Sequence, residues 1–526
     1  MRVPHLVNTG QRRGAETFAE GEWLRTETAA NGDGCGRTVP LPLRHQAIAG
    51  SDRVRAAHTP KGVFTQVIGR DDLQSSGSRN LQPSTIKVLG FAAIVSFVIG
   101  LMFAASNYDA LVSMFLGVGL IVVSLPALSR EADREKDSRL FWLLVIALVV
   151  KLVVGAVGQL YVINEAYGGV ADANGYFDAG WTLARHFRQL NFETGFTTLI
   201  GTNFAKLLTG IVLTVIGSAK TGAFMFFSWM GFWGLFLFYR AFVIAVPEGR
   251  SRSYARLVFF LPSLVFWPSA IGKDAWMVLA VGIATFGCAR ILTGHIVRGL
   301  VITGIGMWMT AMIRPYMGAM LGLGLAAAYI VRPPREDLRE LAPVAKAIAL
   351  IVLMGVALVV VGRSERFLQD RGFQNPTDIN SSLGNLQQRT YTGGSSFVPS
   401  LLTSPRRAPA AVFTVVFRPV LTDAEKSQEY IAGLEGTLLL LFVLARTRWI
   451  IAALRSVRRQ PFVALAVVYT GLFVLGFSSI ANFGILVRQR SSMLPLLLVV
   501  LCIPPRKKLL EASEEPNLAR ATSSRA

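Results

Sequence analysis

Residues 140–162 read LFWLLVIALVVKLVVGAVGQLYV, twenty-three positions with a single charged side chain, Lys151. A helix crossing the hydrocarbon of a bilayer needs roughly 20 apolar residues, so this stretch reads as a membrane span. The composition extends that reading to the whole chain. Of its 526 residues, 52% are apolar and 16% charged, and the mean hydropathy is +0.47. Soluble domains carry roughly a quarter charged residues, which excludes the three water-soluble domains that length alone would suggest. The 53 Lys plus Arg against 32 Asp plus Glu give a net charge of +21. Those cations cluster in short gaps between apolar runs, where they hold loops in the cytoplasm, and no basic face interleaved with aromatics speaks for nucleic acid. Cys35, Cys288 and Cys502 lie too far apart for a disulfide framework or a zinc module.

Outward from that stretch, apolar segments recur at about 88–106, 109–128, 140–162, 197–217, 221–246, 255–272, 274–292, 299–313, 316–331, 342–362, 433–446, 462–480 and 485–503. The fold class expected is all-α, a polytopic transmembrane helical bundle of 12–13 hydrophobic segments with an outer-face loop subdomain. Residues 1–87, with 12 Lys/Arg and 8 Asp/Glu and no sustained periodicity, are expected to form a disordered cytoplasmic tail without a signal-peptide hydrophobic region. Residues 88–362 then form the transmembrane core, with a first large outer loop at 163–196. Residues 363–432 form the outer-face subdomain, 433–503 the last transmembrane helices and 504–526 a second cytoplasmic tail. Arg130, Arg134, Lys136 and Arg139, Arg332, Arg335 and Arg339, and the run Arg446, Arg448, Arg455, Arg458, Arg459 all belong inside, in a multi-pass protein of the plasma (inner) membrane with a cytoplasmic amino terminus. Strict alternation would place Arg250, Arg252 and Arg256 outside. The parity is repaired if 197–217, made polar by Asn203 and Lys206, does not cross and is half-buried or re-entrant.

Charge at membrane depth costs several kcal/mol, so polar residues at span ends are informative. The stretch NEAYGGVADANGYFDAGWTLARHF holds Glu165, Asp172, Asn174, Tyr176, Asp178, Trp181 and Arg185, with a helix along the membrane surface expected from about Ala173. Asp172 is read either as an N-cap or as a general base or metal ligand at the lipid boundary. In FLPSLVFWPSAIGKDAW, two prolines and a glycine make a turn, and Lys273 with Asp274 reads as an anion site and its orienting group. Arg314 beside Pro315 binds an anion or snorkels to lipid phosphates; Lys151 is explained by a long stem reaching the interface. RTYTGGSSF (Arg389 to Phe397) carries Gly393 and Gly394. Phe417-Arg418-Pro419 offers a guanidinium suited to bidentate phosphate binding, ahead of a helix with Asp423, Glu425, Glu429 and Glu435 whose bland reading is a solvated amphipathic face. NFGILVRQRSSMLP places Arg488 and Arg490 at the mouth of the last span, on the outer side by this count.

With these residues assembled, the chain resembles the bacterial polytopic proteins of the GT-C glycosyltransferase superfamily and their relatives in surface-polysaccharide assembly, including repeat-unit polymerases. The likeness is carried by ADANGYFDAGWTLA and supported by WPSAIGKDA, MIRPY, VFRPV with the downstream GLEG, and NFGILVRQR, over about 160–500. More than one span precedes the Asp-bearing loop here, and it holds no adjacent Asp-Asp or Asp-Glu pair. The resemblance implies a glycosyltransferase acting on a polyprenyl-(pyro)phosphate-linked sugar donor at the outer face, with Asp172 catalytic and Tyr176, Asp178, Lys273, Asp274, Arg314, Arg418, Arg488 and Arg490 binding substrate. A divalent metal is a possible cofactor, and the implied partners are membrane lipid and other envelope-polysaccharide assembly proteins. A transporter or lipid-linked oligosaccharide flippase is the alternative, although no internal repeat is evident. A non-catalytic scaffold is the third reading.

Overall fold

The computed structural model describes residues 107–159, 171–333, 395–400, 404–424 and 427–505, with isolated positions between 90 and 100 and at 355, 387 and 391. The chain divides into two units, Met1–Arg79 and Asn80–Ala526, and these residues belong to the second. The expected tail 1–87, the segment 342–362 and most of 88–106, and Glu165, Gly393, Gly394 and Glu425, lie outside the described residues.

The described chain is helical, and its one β contact is an isolated antiparallel bridge, Ser396 with Asn482. Helices α1 (Tyr108–Arg134) and α2 (Ser138–Val153, continued by a π-helical turn Val154–Gln159) are started by side-chain caps. Asn107 accepts from the Asp109 N–H at 3.1 Å, and Asp137 from the Arg139 N–H at 3.1 Å. Then come α3 (Asp172–Arg188), α4 (Thr202–Ile216), α5 (Lys220–Ala245), α6 (Ser251–Phe260), the short α7 (Pro262–Phe266) and α8 (Lys273–Leu292). They are followed by α9 (Ile296–Ala311), α10 (Pro315–Val331), α11 (Ala408–Phe417), α12 (Ser427–Ala445), α13 (Thr447–Ser456), α14 (Pro461–Phe477), α15 (Phe483–Arg490) and α16 (Leu494–Leu501).

Among the described residues, four helices are long and apolar enough to cross a bilayer: α1, α2, α5 and α8. The number rises to six if the bent pairs α12–α13 (65°) and α15–α16 (62°) are each one span. This makes the protein multi-pass by length and composition. Val123 at 69% and Val297 at 76% exposure stand on bundle faces that carry further bare valine, isoleucine and tryptophan, which water would penalise and lipid tails would not. The core is built on close approach of small residues. Gly234 of α5 faces the Val278 carbonyl of α8, Gly282 of α8 faces the Gly234 carbonyl, and Gly306 of α9 lies on Ala284.

Two expectations change here. Segment 255–272 is not one helix: Pro262 and Pro268 break it into α6, α7 and a 3-10 turn, Trp267–Ser269. The freed carbonyls explain Lys151, which does not reach the interface. It is 1% exposed and donates to the Leu264 carbonyl, the Val265 carbonyl and Ser269 Oγ, each at 3.0 Å. Glu435 serves the other end of α7, accepting from the Ser263 N–H at 2.8 Å. Irregular backbone at membrane depth survives only where protein satisfies it, and two buried side chains do so, an amine donating to the carbonyls at one end of α7 and a carboxyl group accepting from the N–H at the other.

The cross-links also sort the two ends of the bundle. Arg252 pairs with Asp137 at 2.6 Å, the Arg250 N–H donates to the Cys502 carbonyl at 2.9 Å, Arg332 to the Ile291 carbonyl at 3.2 Å, and Arg446 to the Leu501 carbonyl at 3.4 Å. The basic gaps 130–139, 250–256, 332 and 446–459 therefore share one end. At the other end, Asp109 accepts from the Thr221 N–H (2.9 Å) and hydroxyl (2.7 Å), tying α1 to α5. Helix α4 is fastened at both ends to this side: the Gly201 N–H donates to the Met312 carbonyl at 2.7 Å and Tyr108 to the Ile216 carbonyl at 3.3 Å. Its 15 residues are about 22 Å long, short of the ~30 Å hydrocarbon. It runs across the bundle's end, packed on α3 through Gly180 and Gly210.

Candidate functional site

The end opposite the basic gaps gathers residues from α3, α4, α8, the α9–α10 joint and α15. Asp274, in the first turn of α8, is 3% exposed. It accepts both Arg314 Nη groups on Oδ1 at 3.2 Å, and Arg488 Nε on Oδ2 at 2.6 Å. Arg488 continues outward, its Nη1 donating to Asp172 Oδ2 at 3.2 Å. One guanidinium thus bridges two carboxylates contributed 102 positions apart in sequence. Side-chain exposure grades along this line, 9% for Arg314, 4% for Asp274, 30% for Arg488 and 62% for Asp172, so the cluster opens from a dry base to a wet rim.

Local structure sets each position. Pro315 starts α10 and leaves Arg314 as the residue just outside it, in the joint against α8. Gly272 has φ +141°, where a side chain is strained, and a Cβ there would come within 2.8 Å of the Tyr176 ring. Lys273 follows, its Nζ 5.8 Å from the centre of that ring and donating to Thr202 Oγ at 2.8 Å. Tyr176 is buried. Burial, with the Asp172 charge beside it, pushes its phenol up to about 12. Trp276 donates to the Met309 carbonyl at 2.8 Å and meets Phe204 edge-on at 4.9 Å, closing α4 over α8.

Asp172 is corrected in one respect. It is the first residue of α3 rather than its N-cap, a place held by Ala171 without any side-chain cap bond, and its carboxylate faces Arg488. The acid still favours the helix it begins, through the helix dipole.

Arg488 and Arg490 separate. Arg490 is fully buried, donating to the Val416 carbonyl at 2.6 Å and the Arg418 carbonyl at 3.2 Å. Its Nε and Nη2 and Glu435 Oε1 are buried without hydrogen-bond partners in the structure. Arg418 is spoken for as well. It grips Asp423 with two bonds, at 3.0 and 2.7 Å, and its guanidinium lies 4.9 Å from the Phe397 ring and 5.1 Å from the Phe483 ring, which stack on each other at 4.1 Å. Burial alone would raise the Asp423 carboxyl. The Arg418 bonds, the Val420 N–H and the Arg418 charge outweigh it and hold the group below the usual carboxylate range. Asp423 sits in a 3-10 turn and Glu435 is 6% exposed, so the expected solvated acidic helix face does not form at these positions.

This second group anchors the insert beside the site. The Phe397 N–H donates to the Ala481 carbonyl at 2.9 Å and the Phe483 N–H to the Ser395 carbonyl at 3.0 Å, just ahead of α15. Asp178 and Arg185 are exposed on the outer side of α3, away from the cluster. The structure therefore brings Asp172, Tyr176, Lys273, Asp274, Arg314 and Arg488 together, places Arg418 and Arg490 next door as supports, and leaves Asp178 out.

The five ionised groups Asp172, Asp274, Lys273, Arg314 and Arg488 leave one positive charge in excess, and Arg488 presents its charge at the open side. A divalent cation fits this donor set poorly, because both carboxylates are held by guanidinium groups. Among the described residues no three His, Cys, Asp or Glu side chains gather as metal ligands. What the arrangement suits chemically is an anion at the rim, with a carboxylate alongside. No protein-family model matches the chain, nor does any curated protein or any solved structure.

Proposed function

We propose that the protein is an integral membrane glycosyltransferase, or an oligosaccharide polymerase, that takes a sugar from a polyprenyl-(pyro)phosphate donor at the extracytoplasmic side of the plasma membrane. The observation that carries the reading is the Asp172–Arg488–Asp274–Arg314 chain, at the bundle end opposite four basic gaps. Basic gaps favour the cytoplasm, which supports an outer-face position for the cluster.

In this reading the lipid of the donor stays in the bilayer and its phosphate meets Arg488 and Lys273 at the rim. The acceptor hydroxyl attacks the anomeric carbon, the carbon–oxygen bond to phosphate breaks, and the bonding pair leaves with the phosphate. Cations fixed in advance stabilise that departing charge. The hydroxyl proton passes to Asp172. In the resting site Arg488 Nη1 occupies Asp172 Oδ2 at 3.2 Å. Phosphate arriving on Arg488 competes for the same Nη1 and releases the carboxylate, so donor binding arms the base. Asp274, buried and fully engaged, orients Arg488 and Arg314. The α3–α4 hairpin covers the site and limits water. Ion pairs at helix ends rather than at mid-membrane, and the lack of any internal repeat, favour transfer over transport.

The test is lengthening of a labelled lipid-linked oligosaccharide by the purified protein. Wild type is expected to form new glycosidic bonds, and Asp172→Asn to lose them while still inserting in the membrane. Movement of the labelled lipid between leaflets without new bonds overturns the proposal in favour of a flippase, and undiminished transfer by Asp172→Asn removes that residue as base.

A further inference from the structure

The opposite end of the bundle carries a cavity of about 360 Å³ that the transfer reaction does not use. Arg448, Arg455 and Arg459 line it, with Ile451, Pro504 and Glu248 among its other walls. The three arginines are exposed, and among the described residues none of them is paired with a carboxylate. Against them Glu248 sets one negative charge. The chain continues from the cavity wall at Pro505 as Arg506-Lys507-Lys508, so the sequence adds cations where the wall ends.

The place of this cavity in the fold selects its ligand. Helix α13 leaves α12 at 65°, at the bundle end that carries the basic gaps. Arg448 and Arg455 stand seven residues apart, two turns along one face, and Arg459 continues the row beyond the helix end. Ile451 and Leu454, at 42% and 47% exposure, offer apolar contact beside the cations. Trp449 is buried under the Arg446 guanidinium at 3.9 Å and that of Arg250 at 5.0 Å, so the helix is pinned on one side and open on the other. A guanidinium row next to bare aliphatic side chains, at the level where a span ends, matches a phosphate carried on an acyl chain better than a phosphate free in solution.

We propose that this cavity binds the phosphate headgroup of an anionic membrane lipid, seated on Arg448, Arg455 and Arg459. The site is independent of the transfer reading and stands if that reading fails.

The experiment is native mass spectrometry of the full chain released from nanodiscs of phosphatidylglycerol and phosphatidylcholine in equal parts. Wild type is expected to retain phosphatidylglycerol in preference. The variant R448Q/R455Q/R459Q loses that preference, by about five-fold for each arginine removed, and the triple lysine variant keeps most of it. Should the triple glutamine variant not fold, Arg448→Gln and Arg459→Gln alone, both at exposed positions, each lose about five-fold. An unchanged preference in the glutamine variants overturns the proposal. Displacement of the lipid by millimolar inorganic phosphate also overturns it and assigns the cavity to a soluble phosphate.

Discussion

Asp274 and Asp172 touch the same arginine, yet their substitution has different consequences. Removing the Asp274 charge leaves the buried Arg314 without a counter-ion and Arg488 with Asp172 alone, and breaking a buried pair from one side costs about 3–5 kcal/mol. Asp274→Asn is therefore expected to lower the thermal midpoint in detergent sharply. Asp172→Asn changes an exposed pair worth about 0–1 kcal/mol, and its midpoint stays near that of wild type. A comparison of the two melting curves checks this; equal losses would refute the graded cluster. Lys151 belongs at this scale too. Lys151→Met strands the carbonyls of Leu264 and Val265 and is expected to destabilise by about 3 kcal/mol, of the order of two buried acceptors left without a donor, read as lower yield and lower midpoint. The composition made Lys151 look incidental because a single lysine in an apolar run has a ready account in its long stem. Only the broken backbone at 261–269, facing it from 110 or more residues away, supplies the reason for its burial.

At the scale of elements, the turn 418–423 depends on one carboxylate. The folded Asp423 titrates below its unfolded value of about 3.9, so the stability it contributes is complete above that pH and is lost as the pH falls through the lower, folded value. Hydrogen exchange across 411–424 is expected to accelerate below about pH 4 and, in Asp423→Asn, to be fast already at neutral pH; a wild-type profile flat into strong acid would contradict the pairing. Helices were legible from apolar runs, and their joints from Pro and Gly. Where a long run hid a break, as in 255–272, hydropathy averaged over the prolines. Short apolar segments were the weak point of the reading. For helix α4, Asn203 and Lys206 already spoke against a crossing, and what sets it across the bundle is the fastening of both its ends, which the sequence does not record.

For the whole molecule, the sorting of cross-links into two ends makes a labelling prediction. Single cysteines at 172 and 273 are expected to react with an impermeant maleimide from one side of sealed vesicles, and cysteines at 139, 252 and 455 from the other. Mixed labelling within either set would break the arrangement from which the outer site is argued. Much of the site was visible in the sequence as polar residues at the ends of apolar runs, because lipid makes such residues conspicuous. Their roles were not. Arg314, Arg418, Arg488 and Arg490 look alike in the chain, and only the fold divides them into one that faces the rim, one that supports it from below and two that hold the neighbouring insert. The short helix α15 carries that division in eight residues. Successive residues in such a helix turn by about 100°, so Arg488 and Arg490 leave it on nearly opposite sides, one toward the membrane bundle and the other toward the carbonyls of α11 and Arg418. The rod is keyed at both flanks like an axle between two bearings. It cannot roll to relax one key without jamming the other, and a single residue deleted between them would leave no orientation that seats both.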